Sequence, residues 1–372
     1  MLPSVLPIRY LLNPQADPSL PYGSEQEDVL NQRAHEAAFR KISSLPGYAP
    51  TPLRNLEGMA EALGVETLWY KDEGLRLGLG SFKALGGIYG VYRVLQVHQA
   101  QNSGPLSDFT VTCASVGNHG RAVARGAQIF GCRAVVFLPS HTSPHRVEAI
   151  EQLGARTVPV HGTFDDAVVK AAREGENNGW SVVADTTSPG YREVPRHIMQ
   201  GYTVMAREVL EQLPRGLLPT HVFLQAGVGG LAAAVTGHFW DHLGESRPRV
   251  VIVEPAAADC LLESALGASP TPAVGDLRTS MECLACREVS GLAWKILEKG
   301  ADAFLTIPDF AAEDTVALLA KGLSEDPFVH TQPSGAAGLA GLIAASFEPT
   351  LAAPLGLGKN SRILVFGSEG PA

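Results

Sequence analysis

Short apolar runs recur along this chain, and each is followed by a longer stretch with apolar positions three and four residues apart. The runs read as strands buried on both faces and the stretches as amphipathic helices. The pattern predicts strands over 67–71, 109–114, 133–138, 156–160, 180–185, 221–225, 249–254 and 362–366. Helices are predicted between them at 84–97, 121–130, 144–153, 164–175, 198–213 and 230–239. Upstream, residues up to about 24 read as an irregular arm and 25–45 as a helix. The proline-rich loop Pro46–Pro52 ends that helix, and a shorter one over 56–63 stops at Gly64. Strands alternating with helices make β-α-β units and parallel sheets, so the expected fold class is α/β. The chain carries no internal repeat and no low-complexity tract.

Composition changes this picture only in scale. The chain has 372 residues, 45% of them hydrophobic and 18% charged, which suits two domains with sizeable cores. A net charge of −9 and the absence of a long basic run argue against nucleic acid and acidic membrane surfaces as partners. No apolar stretch is long enough to span a bilayer, and Met1–Pro7 does not read as a leader. An odd count of five cysteines suggests a reducing compartment, and the expected location is cytoplasmic. Cys283 and Cys286 form a C-x-x-C pair with no second pair or histidine cluster to complete a zinc site. Buried thiols are the plainer reading, and no metal is expected.

Chemistry first shows at a lysine. From Leu77 to Val91 the only ionisable side chains are Lys83 and Tyr89, and the stretch is rich in glycine. A lysine in apolar surroundings is costly as an ammonium. It either snorkels to water with its stem buried, or condenses with an aldehyde, as the Schiff-base lysines that hold pyridoxal 5'-phosphate (PLP) do. Ser115-Val116-Gly117-Asn118-His119-Gly120 follows one strand and opens a helix, where backbone N–H groups can meet an anion such as a substrate carboxylate. An ordinary β-α turn would look the same. Gln225-Ala226-Gly227-Val228-Gly229-Gly230 follows another strand and could wrap a phosphate. It lacks the lysine of a P-loop and the spacing of a dinucleotide fingerprint. Ser368, after the last strand, either meets a ring nitrogen or lies in a solvated tail.

Together these motifs resemble the fold type II (tryptophan synthase β-like) PLP enzymes, and within them the diaminopropionate ammonia-lyases most closely. The likeness runs from Leu45 to Gly370 and rests on Leu45–Leu53, Tyr70–Gly74, Phe82–Gly87, Gly117–Arg121, Ala184–Thr186, Val253–Pro255, Leu284–Cys286, Ala301–Phe304 and Ser334–Ala336. The resemblance implies two α/β domains with the cofactor in the cleft between them: 1–86 plus 206–372 as the large PLP-binding domain and 87–205 as the smaller one. It implies that Lys83 forms the imine with PLP and is the base at Cα. Asn118 would bind the ring 3-hydroxyl, and Gly227, Val228, Gly229 and Gly230 the phosphate. Ser368 would meet the pyridine nitrogen and leave the ring largely unprotonated, which favours β-elimination. Ser115, Gly117 and His119 would hold the substrate carboxylate, and Asp185 would steer an ammonium group or move a proton. The implied activity is a β-eliminating lyase on a small L-amino acid, giving a 2-oxo acid and ammonia, in a homodimer. L-serine or L-threonine dehydration, β-replacement of the cysteine synthase type and an inactive PLP-binding protein are the alternatives.

Two positions depart from the pattern, and one cysteine pair bears on it. Val116 stands where the ammonia-lyases carry an aspartate, and valine cannot move a proton, so only the L-enantiomer should react. Gln332 replaces a carboxylate that the family places near the cofactor. Cys260 and Cys286 occupy positions that can form a disulfide in the ammonia-lyases; two thiols are expected here.

Overall fold

The computed structural model describes residues 7–102 and 104–371, so most of the segment read as lacking a leader lies outside the described residues. The chain divides into two compact units. The first comprises Met1–Gln32, Pro50–Leu75 and Met205–Ala372, and the second Arg33–Ala49 and Arg76–Val204. The expected division, 1–86 plus 206–372 against 87–205, differs from this at 33–49 and 76–86, which belong to the second unit, and at Met205, which belongs to the first.

In chain order the strands are β1 (Tyr10–Leu12), β2 (Leu53–Asn55), β3 (Thr67–Asp72), β4 (Thr110–Ala114), β5 (Arg133–Pro139), β6 (Arg156–Val160), β7 (Ser181–Val182), β8 (His221–Gln225), β9 (Arg249–Pro255), β10 (Ala303–Ile307) and β11 (Arg362–Gly367). The first unit holds a seven-stranded sheet in the order β1-β10-β9-β8-β11-β3-β2. Its interior strands are parallel, and β1 and β2 pair antiparallel at the two edges. β8 and β10 are buried at every residue, as strands covered on both faces must be. β1 and β2 went unpredicted because three residues are too few to show a period, and short edge strands are one way a sheet avoids pairing with another chain.

The second unit holds a parallel sheet in the order β6-β5-β4-β7. Helix Lys83–Gln101 packs against helix Asn118–Phe130 and helix Glu193–Gln212 through two glycines. A Cβ on Gly87 would stand 2.5 Å from Ala122 Cβ, and one on Gly86 would stand 2.8 Å from the Ile198 carbonyl oxygen. The Gly-Gly pair after the lysine therefore lets two helices approach closely on either side. The predicted strand over 180–185 shrinks to β7. Val183 still donates to the Thr112 carbonyl at 2.7 Å, but the chain then turns away.

Candidate active site

Lys83 is the first residue of its helix. A cation at a helix N-terminus is disfavoured by the helix dipole, and an acid offsets this: Lys83 Nζ donates to Asp185 Oδ2. The Lys83 side chain is 20% exposed, less buried than its apolar neighbours suggest. The lysine that is fully buried is Lys71, paired with Glu208.

Asp185 also faces His119, whose Nδ1 lies 3.9 Å from Oδ2. Burial pushes Asp185 up, but the charge and hydrogen bond of Lys83 overcome this and hold its carboxyl well below the usual carboxylate range. Burial holds His119 below its ordinary value against the pull of Asp185. His119 Nε2 sits 2.7 Å from the Val183 carbonyl oxygen and must donate to it. The neutral ring therefore presents a bare Nδ1, which meets no hydrogen-bond partner among the described residues.

Ser115 closes the turn that precedes helix Asn118–Phe130. Its Oγ accepts the N–H groups of Gly117 at 3.0 Å and Gly120 at 2.8 Å. This local capping explains why the helix begins at Asn118, earlier than predicted. Asn118 is the first helical residue and is half-buried. Val116 offers its carbonyl to Arg146 Nη1 at 3.4 Å.

In the first unit the glycine loop links β8 to helix Gly230–Leu243. Among the described residues no acceptor meets the N–H groups of Gly227, Val228 and Gly229. Gly229 has φ +92°, a conformation that favours glycine. A Cβ on Gly227 would stand 2.7 Å from Cys286 Sγ. Unpaired N–H groups on a glycine backbone at a helix start fit a phosphate. Ser368 follows β11 and is buried.

Sequence reasoning missed three residues. Tyr191 O–H donates to the Val182 carbonyl at 2.8 Å and accepts the Ala184 N–H at 3.0 Å, which pins the backbone leading to Asp185. Tyr202 is buried, and among the described residues only Lys83 bears on its hydroxyl as a hydrogen-bond partner. Glu369 is a buried carboxylate that accepts the Cys283 thiol at 3.4 Å. Beside it Gln332 Nε2 donates to the Gly370 carbonyl at 3.3 Å. Glu369 adjoins Ser368 in a motif already singled out. The two tyrosines gave no signal, because a tyrosine on a helix or in a loop is ordinary.

Known proteins are similar to this chain in sequence and fold. A family model described as pyridoxal-phosphate dependent enzyme matches residues 44–368. Diaminopropionate ammonia-lyase from Escherichia coli (strain K12) is 35% identical over 363 residues, 94% of this chain and 91% of the relative. The enzyme of the same name from Salmonella typhimurium is 36% identical over 360 residues, covering 90% and 88%. The crystal structure of the Escherichia coli enzyme in complex with an aminoacrylate-PLP azomethine reaction intermediate is similar with a TM-score of 0.89. It is 34% identical and covers 98% of this chain and 94% of that one. With the lysine, the glycine loop and the match all in hand, the chain belongs to the pyridoxal-phosphate-dependent enzymes of fold type II.

Proposed function

We propose that this protein is a PLP-dependent ammonia-lyase that eliminates the β-substituent of a small L-amino acid, with L-2,3-diaminopropionate as its substrate. The observation that carries the reading is the Lys83–Asp185 pair with His119 beside it, in a chain 35% identical to diaminopropionate ammonia-lyase over 94% of its length. PLP, when bound, supplies an electron sink that makes the Cα hydrogen acidic. Lys83 would hold the cofactor through its amine and, once released, take the Cα proton. Asn118 would bond the ring 3-hydroxyl, the N–H groups from Gly227 to Gly230 the phosphate, and Ser368 the ring nitrogen. Ser115 and Gly117 would meet the substrate carboxylate. Ser115 can do so only through its O–H, since its oxygen already accepts two N–H groups. His119, with a bare Nδ1, suits a proton donor better than a carboxylate.

Asp185 discriminates between leaving groups. Its carboxyl is held ionised, so it is a poor acid for protonating a departing hydroxide. The same carboxylate attracts the β-ammonium of diaminopropionate, which leaves as ammonia without an added proton. In sum, one diaminopropionate and one water give one pyruvate and two ammonia.

The test is a screen of L- and D-diaminopropionate, L-serine and L-threonine, read out as ammonia and 2-oxo acid without added thiol. Fastest turnover of L-diaminopropionate is expected. Preference for L-serine would support the dehydratase reading, which Val116 also admits, and D-turnover would overturn the argument from Val116. Lys83→Ala should lose the visible absorbance of the PLP-loaded enzyme. Among the described residues no single helix is long and apolar enough to cross a membrane. A cytoplasmic homodimer is part of the same reading, and light scattering of the purified protein tests the dimer.

A further inference from the structure

Tyr202 lies on helix Glu193–Gln212, against the first turn of the Lys83 helix. Gly86, three residues after Lys83 and on the same helix face, makes room for its ring: a Cβ there would stand 2.4 Å from Tyr202 Cε1. Phe82 flanks the ring with centroids 4.7 Å apart. The ring is therefore held, and its hydroxyl is buried. Burial pushes that hydroxyl up, the charge and hydrogen bonding of Lys83 pull it down, and the Asp185 charge raises it. Among the described residues no side chain other than Lys83 bears on it as a hydrogen-bond partner, and a buried hydroxyl needs one.

We propose that Tyr202 is a positioning residue for Lys83, its oxygen accepting an N–H of the lysine amine whenever that amine is neutral and reactive. The inference rests on the assignment of Lys83 and Asp185 made above. An ammonium substrate that draws the Asp185 carboxylate loosens the hold of Asp185 on Lys83. A neutral amine has one lone pair, and it works as a nucleophile or base only when that pair points at the reacting carbon or proton. A fixed acceptor for one N–H turns the lone pair away from the tyrosine and limits the rotation of the amine about its last bond. Removing the hydroxyl should slow every step that uses the free amine and leave substrate affinity nearly unchanged.

The test compares wild type, Tyr202→Phe and Lys83→Ala. In the full-length apo-protein, the lysine amine adds to the aldehyde carbon of pyridoxal 5'-phosphate and water leaves; visible absorbance follows the rate. Tyr202→Phe is expected to condense about tenfold more slowly, the worth of one orienting hydrogen bond. Its apo-protein should melt near the wild-type temperature, because the hydroxyl joins no group of the fold other than the lysine amine. In the loaded enzyme kcat should fall about tenfold while KM stays within roughly twofold. Wild-type rates in Tyr202→Phe, with Lys83→Ala inert, overturn this inference and leave the Lys83 assignment standing. Slower condensation with a lowered melting temperature also overturns it, by marking the hydroxyl as structural. A Lys83→Ala protein that condenses like wild type overturns the parent assignment and this one with it.

Discussion

Gly86 and Gly87 read in the sequence as part of a glycine-rich lysine motif, and the structure gives each a different neighbour: Ile198 and Tyr202 for Gly86, Ala122 for Gly87. The motif was legible because its residues are adjacent in the chain. The reason for two successive glycines was not, because their partners lie on other helices. Gly87→Ala would set two Cβ atoms 2.5 Å apart, an overpacking that should cost about 1–3 kcal/mol. Ala122→Gly alone should cost about 1 kcal/mol through helix propensity. Combined, the two changes exchange which helix carries the methyl, so the double variant should be more stable than Gly87→Ala despite its second glycine. Urea unfolding of all four proteins checks this; a double variant less stable than both single ones would show that the contact is not the cause. The same limit hid Tyr202 and made Lys83 seem the buried lysine, when Lys71 is the one with no exposed side chain.

At the scale of elements, the periodic segments were found nearly where they were expected, and the errors have local causes. Helix Glu193–Gln212 begins earlier than predicted because Pro195 lies in its first turn, where a missing N–H costs nothing. β7 ends early because Tyr191 takes the hydrogen bonds of Val182 and Ala184. The expected helix over 25–45 breaks into Ser24–Glu27 and Gln32–Ser43. One element carries a buried acid that no periodicity could reveal. Glu254, in β9, accepts the N–H groups of Leu261 and Leu262, each at 2.8 Å, at the start of the short helix Cys260–Leu266. Burial pushes its carboxyl up to about 8, against the pull of those two donors. The folded protein thus holds this proton over a pH range in which the unfolded chain, near the ordinary value of 4.5, has lost it. Stability should therefore fall as pH rises from about 4.5 to about 8, with a limiting slope near 1.4 kcal/mol per pH unit. Denaturant unfolding at several pH values tests this. Glu254→Gln cannot titrate, so its stability should lack this component of the slope; parallel curves for the two proteins would refute the assignment.

Over the whole molecule, the sequence showed an α/β chain of parallel sheets, and its expected division differs from the compact units mainly at 33–49 and 76–86. One boundary, after Gln32, falls inside a helix, whereas sequence signals for boundaries are loops and composition shifts. A unit assembled from separate stretches of chain needs contacts that join them, and the first unit has a buried one. Lys71 of β3 donates to Glu208 Oε2 at 2.7 Å, to the Thr51 carbonyl at 2.7 Å and to Gln212 Oε1 at 2.8 Å. Glu208 also accepts the Thr51 N–H at 3.2 Å. Pro50–Leu75 is thereby tied to Met205–Ala372 by an ion pair with no exposed side-chain surface. Removing one partner takes the opposite charge from the other, which stays buried, so Lys71→Met should destabilise the protein by about 3–5 kcal/mol. Replacing both partners with apolar side chains removes that charge. Lys71→Met with Glu208→Leu should therefore be more stable than Lys71→Met, although the Thr51 N–H loses its Glu208 acceptor while the Thr51 carbonyl keeps its hydrogen bond from Gln212. A double-mutant cycle in urea measures the coupling. If the two losses simply add, the pair does not act as a unit, and the join between these segments must lie in the apolar contacts of the sheet.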